Sequence, residues 1–141
     1  MYILDTDHIS ILQRGGVTAE PLRNRLAKIN PNQVGVTIIT YEEQLRGWLN
    51  YITKSKTIAE QVQAYKKLNQ QVKIYCKIPI FEFNEQAAQQ FERLRKIHRK
   101  LGTMDLKIAS VVMVNKAVLL TRNNSDFKQI SDLLIEDWSC K

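Results

Sequence analysis

Cysteine is scarce, at two residues in 141, Cys76 and Cys140. Neither lies in a C-x-x-C or Cys/His spacing, so a zinc site and a disulfide framework are both excluded as organising features. The expectation is one semi-buried thiol and one thiol at a frayed end. Histidine is equally sparse. His8 and His98 are expected at the surface, His8 near enough to an acid at position 5 to touch it. There is no apolar run long enough to span a membrane. Nothing resembles a signal peptide either, because acids stand at Asp5 and Asp7 and no apolar stretch follows them. Internal repeats, low-complexity segments and linkers are also missing. These absences point to a cytoplasmic chain built as one domain, residues 1–141, long enough to bury a core without a crosslink.

What is abundant is positive charge. Lys and Arg number 21 against 14 Asp and Glu, a formal net charge of +7. A surplus of that size favours a polyanionic partner. Much of it falls between Lys54 and Lys77 and between Arg93 and Lys107. The plainer explanation of the second run (Arg93, Arg95, Lys96, Arg99, Lys100) is a solvated helix face.

Taken in order, Tyr2-Ile3-Leu4 reads as a short strand ending in Asp5-Thr6-Asp7, with Thr6 placed to cap a helix through Ile9, Ile11 and Leu12. Arg14-Gly15-Gly16 ends that helix, and Glu20-Pro21 opens another with Leu22, Leu26 and Ile29 as its stripe. Val34 to Ile39 is β-branched and reads as a strand. Thr40 and Glu43 then have capping-box spacing. A long helix, Thr57 to Tyr75, carries an apolar seam at Ile58, Val62, Tyr65, Leu68 and Val72, and with the preceding helix should form a hairpin at the domain edge. Lys77 to Ile80 suits an edge strand because of Pro79. Asn84 caps a helix over 85–101, with Ala87, Ala88, Phe91, Leu94 and Ile97 inward. Thr103 to Val114 is apolar nearly all round and should be the buried central helix. Ala117 to Thr121 is an all-apolar strand, expected central and parallel. A short helix and turn lead to a last strand at Leu133 to Ile135.

In open α/β sheets ligands sit beyond the carboxyl ends of the strands. Alternating strands and helices would gather Asp5 (with Asp7), Glu43, Asp105, Asn123 and Asp126 on that side of one sheet. Each has a simpler explanation alone: a cap for Glu43, the helix dipole for Asp105. Together they would repel and hold their protons unless a cation neutralised them. All-oxygen ligands favour Mg²⁺ or Mn²⁺. Such a site on a basic protein suggests metal-assisted hydrolysis of a phosphodiester.

The ordered set of stretches resembles PIN-domain proteins of the VapC toxin type. The matching segments are Leu4-Asp5-Thr6-Asp7; Thr37 to Thr40 running into Glu43 to Gly47; Phe83-Asn84 through Leu101-Gly102; Asp105 to Ala109; Leu120 to Asn123 through Asp126-Phe127; and Ile135 to Trp138. The resemblance implies a three-layer α/β/α fold with a mainly parallel sheet and a protruding helical hairpin. It implies a Mg²⁺- or Mn²⁺-dependent endoribonuclease acting on structured RNA, often tRNA, neutralised by a cognate VapB-type antitoxin and commonly dimeric. Asp5, Glu43 and Asp105 match the family's central acids, which bind metal and activate water. Asn123 stands where the family often has Asp, and either it or Asp126 fills the fourth position. Asp7 stands where Asn is usual, as a support for the ligands or an extra ligand. Thr6 and Thr121 are expected to brace the site by hydrogen bonds. Two other readings compete: a haloacid-dehalogenase-like phosphatase with Asp5 as nucleophile, and an RNA-binding module of the same fold without catalysis.

Overall fold

The structure, a computed structural model, describes residues 1–140. Five short strands form one parallel sheet: β1 (Tyr2–Leu4), β2 (Val34–Thr37), β3 (Ile80–Phe81), β4 (Val118–Leu120) and β5 (Leu134–Glu136). Their order is β3-β2-β1-β4-β5, every pairing parallel. Among the described residues seven α-helices accompany them: α1 (Thr6–Arg14), α2 (Glu20–Leu26), α3 (Ile38–Lys54), α4 (Ile58–Tyr75), α5 (Glu85–Ile97), α6 (Thr103–Val114) and α7 (Asn124–Phe127).

Alternation along the strands divides the core in two. Ile3 and Leu119 pack with Leu106, Ile108 and Val112 of α6 and Leu94 of α5. Their neighbours Leu4 and Leu120 face the other way, onto Ile9 and Ile11 of α1, Leu22 of α2 and Tyr75 of α4. The sheet is therefore covered on both faces, as a parallel sheet requires, and the layers are α/β/α. β1 pairs with β2 on one side and with β4 on the other, and the register sets Leu4 beside Leu120. The strand order reverses between β1 and β4, which is where an open sheet leaves its crevice. Asp5 and Thr121 are the next residues on those two strands.

At the other edge β2 has to approach β3 closely. A Cβ on Gly35 would lie 2.6 Å from the Pro79 carbonyl oxygen and 2.7 Å from the Phe81 ring. Glycine is what allows the Val36 N–H to reach the Pro79 carbonyl at 3.0 Å.

Several local expectations fail. The cap of α1 is Asp5, not Thr6, and Asp5 accepts from the Thr6 N–H. The second strand stops at Thr37, whose hydroxyl accepts from the Thr40 N–H and caps α3 three residues earlier than Thr40 would have. Ile38 and Ile39 thus begin a helix despite their branching, because Thr37 supplies a cap and Ile39 is buried there. The capping-box explanation of Glu43 falls with it. The helix over 85–101 ends at Ile97, which is 72% exposed rather than inward. The α3–α4 hairpin forms, but Ile58, Val62, Tyr65 and Val72 of its seam are exposed. Cys76 is exposed rather than semi-buried. His8 is wholly buried.

Candidate active site

Asp5 leaves β1 with 6% exposure. One carboxylate oxygen accepts from the Thr6 N–H at 2.8 Å and the other from the Thr121 hydroxyl at 2.8 Å. Glu43 sits in the second turn of α3, half-buried, and accepts from the Thr6 hydroxyl at 2.9 Å. Asp105 lies in the first turn of α6, also half-buried. The Asn123 amide donates to Asp126 Oδ2 at 3.2 Å, and its backbone N–H donates to the Thr121 hydroxyl at 3.0 Å. The expected bracing by Thr6 and Thr121 is present, and the two threonines link three elements.

The electrostatics tie these groups together. Burial, reinforced by the charge of Asp7 and more weakly by Asp105, pushes the Asp5 carboxyl up to about 6 against the bonds from Thr121 and Thr6. Burial raises Glu43, with Asp105 and Glu42 adding to the effect. Burial raises Asp105 as well, followed by the charges of Asp126 and Asp7. Among the described residues, the ion pairs of Lys and Arg are Arg46 with Glu42 and Arg95 with Glu92, and His8 lies beside Asp7 and Asp137. None involves Asp5, Glu43, Asp105 or Asp126. Among the described residues, no three His, Cys, Asp or Glu side chains stand close enough together to hold a metal ion as they are placed. What is present is three oxygen donors, Asp5, Glu43 and Asp105, that resist ionisation and have no ion-pair partner among the described residues, which is the donor chemistry a hard divalent ion suits.

The sequence reading missed two features nearby. His8 bonds Asp7 and the C-terminal segment. Its only sequence signal was its place between Asp7 and the apolar Ile9. The second is a buried amide network: Gln13 donates to Gln44 and Gln71 at 2.9 and 2.7 Å, and the Tyr75 hydroxyl also bonds Gln44. It joins α1, α3 and α4 at the root of the hairpin. Amides on helices that pattern as polar surface gave no sign of it.

With this geometry in place, the comparison with known families is direct. The model of the PIN domain matches residues 2–133. The chain belongs to the PIN-domain family. Ribonuclease VapC1 of Haemophilus influenzae strain R2866 is 28% identical over 144 residues, spanning 99% of this chain and 98% of that protein. Among solved structures, VapBC2 from Rickettsia felis, bound to a DNA fragment from its promoter, superposes with a TM-score of 0.73 at 25% identity, covering 97% of this chain and 98% of that one. VapBC-1 from nontypeable Haemophilus influenzae gives 0.71 at 27% identity, covering 99% and 98%. The expected PIN architecture, with its parallel sheet and helical hairpin, is the observed one. No helix among the described residues is long and apolar enough to cross a membrane.

Proposed function

We propose that this PIN-domain chain is a metal-dependent endoribonuclease of the VapC type, the toxin partner of a VapB-type antitoxin. The observation that carries the reading is the set of Asp5, Glu43 and Asp105, drawn from three elements, each raised first by burial, with the charge of Asp105 adding to the rise of Asp5 and Glu43, and with no Lys or Arg among the described residues paired to any of them. Relatives named as ribonucleases and as toxin–antitoxin complexes, aligned over nearly the whole chain, support the same conclusion.

Asp5, Glu43, Asp105 and Asp126 are the residues that would hold the ion, with Asn123 beside them to orient water or offer its carbonyl. A bound Mg²⁺ or Mn²⁺ would neutralise the cluster and lower the pKa of water at the scissile phosphate. The chain's own part is to keep the carboxylates in place. Thr121 and the Thr6 N–H fix both oxygens of Asp5, and the Thr6 hydroxyl fixes Glu43. Arg93, Arg95, Lys96, Arg99 and Lys100 are exposed on α5 and on the segment leading to Asp105. They supply phosphate contacts for a structured RNA such as tRNA. A homodimer acting in the cytoplasm completes the reading. The phosphatase alternative has Asp5 as its nucleophile, and covalent phospho-aspartate on Asp5 with a small phosphoester would be its signature.

The test is cleavage of total tRNA and rRNA by the purified chain in EDTA, Mg²⁺ or Mn²⁺, beside Asp5→Asn. Metal-dependent fragments that vanish in the variant are expected. RNA bound but uncut in every metal would replace the nuclease with a binding module.

A further inference from the structure

His8 has no exposed surface, yet both ring nitrogens have partners. The backbone N–H of Trp138 points at Nε2 from 3.2 Å. A backbone amide can only donate, and Asp137 Oδ1, the other group near Nε2, stands at 3.5 Å, beyond ordinary hydrogen-bond length, so Nε2 is the bare nitrogen and the ring's proton sits on Nδ1. Nδ1 lies 2.8 Å from Asp7 Oδ1, which accepts it. The other oxygen of Asp7 accepts from the Arg122 N–H at 2.9 Å. Thr121, one residue earlier, gives its single hydroxyl proton to Asp5 at 2.8 Å rather than to Asp7 at 3.4 Å.

The far end of this chain of bonds is well anchored. Trp138 is buried, its ring 4.7 Å from that of Tyr2 and 4.8 Å from the Arg25 guanidinium, and its indole N–H donates to Glu136 at 2.6 Å.

The geometry points to His8 and Asp7 as a pair of positioning residues, a pin from the backbone of Trp138 to the turn after β4 that holds Thr121 against Asp5. The inference rests on Asp5 belonging to the ion site. It assigns Asp7 to support of the site, because its two oxygens bridge His8 Nδ1 and the Arg122 N–H. It also explains why a carboxylate stands at position 7 when His is at 8. An asparagine there would turn its NH₂ toward either the His8 Nδ1–H or the Arg122 N–H, donor against donor. The terminal segment is thereby part of the support of the catalytic cluster, although it lies at the other end of the sequence.

Three measurements decide it. Long-range ¹⁵N–¹H NMR of the unaltered chain should find His8 protonated at Nδ1, and protonation at Nε2 would overturn the pin. Asp7→Asn should weaken Mn²⁺ binding, titrated without RNA, and lower kcat about 10- to 100-fold, the range for residues that orient metal ligands, with KM for RNA little changed. Unaltered kcat and Mn²⁺ affinity in a folded Asp7→Asn chain would sink the idea. His8→Leu should show the same loss, and His8→Asn, which restores a donor toward Asp7, should recover part of it. If His8→Leu does not fold, Asp7→Asn and the NMR measurement still decide. Asp5→Asn run in parallel separates the two ideas. Cleavage surviving that change would remove the site and the pin together, whereas cleavage lost there but untouched by Asp7→Asn removes the pin alone.

Discussion

Thr121 donates its hydroxyl to Asp5 across 116 positions of sequence, at 2.8 Å, with both residues buried. The bond exists because β1 and β4 lie side by side in parallel register and end together. It opposes the rise that burial imposes on Asp5. Thr121→Val keeps the shape and removes the donor. Cleavage should fall about tenfold or more, as for other residues that orient ligands, and the acid limb of the pH–rate profile should move to higher pH. An unmoved profile would mean that the bond does not set the ionisation of Asp5.

The raised carboxyls make a directional statement about stability. The folded chain binds protons more tightly at Asp5 than the unfolded chain does, so between about pH 4 and pH 6 it carries the extra proton and stability falls as pH rises through that window. At neutral pH ionised Asp5 costs the fold on the order of 3 kcal/mol, at about 1.4 kcal/mol per tenfold shift of its acid equilibrium. Melted in EDTA, the chain should be more stable at pH 5 than at pH 7. Asp5→Asn should flatten that difference and raise the neutral melting temperature. A lower melting temperature for the variant at pH 7 would make Asp5 a structural acid.

Removing one acid should also remove the ion's effect on stability. Saturating Mn²⁺ stabilises a chain that binds it only when folded, by about 2.7 kcal/mol at one hundred times Kd. That gain should shrink sharply in Asp105→Asn and Glu43→Gln, and cleavage should drop about 10²-fold or more, by analogy with other electrostatic stabilisers. Calorimetry with and without Mn²⁺ checks the first, and single-turnover cleavage the second.

The basic run around α5 should act on affinity and not on chemistry. Arg93, Lys96, Arg99 and Lys100 are exposed and make none of the ion pairs found among the described residues. Changing them to Ala, one at a time and then together, should weaken RNA binding and flatten its salt dependence by about 0.7–0.9 in slope for each phosphate left without its cation. The saturated cleavage rate should hold. An unchanged salt slope would place the RNA on another face.

Gly35→Ala tests the sheet edge. A methyl group 2.6 Å from a backbone oxygen cannot be absorbed by a side-chain rotation. The loss should be about 1–3 kcal/mol, the usual range for overpacking, read by urea denaturation. Wild-type stability would mean that β3 moves away freely.

Much of this was legible before the fold. The strand-ending acid at Asp5, the apolar helix behind Asp105 and the buried strand before Asn123 follow from pattern and propensity, which report what each segment buries. The failures occur where two residues offered the same local service. Thr37 and Thr40 can each cap a helix, and only the burial of Ile39 decides between them. Asp5 and Thr6 compete in the same way. His8 was misread because sequence does not reveal that Trp138 returns to cover it. The exposed seam of α4 was misread because periodicity marks an apolar face without naming what covers it. Nor does sequence state the strand order, on which the meeting of Asp5 with Thr121 depends.

Because β1 and its neighbour β4 are separated by more than a hundred residues, and because His8 bonds the Trp138 N–H, the support of the acidic residues draws on both ends of this fold. A chain growing from its N-terminus makes Asp5, Glu43 and Asp105 in turn, yet cannot bring Asp5 under Thr121 until β4 has emerged and docked.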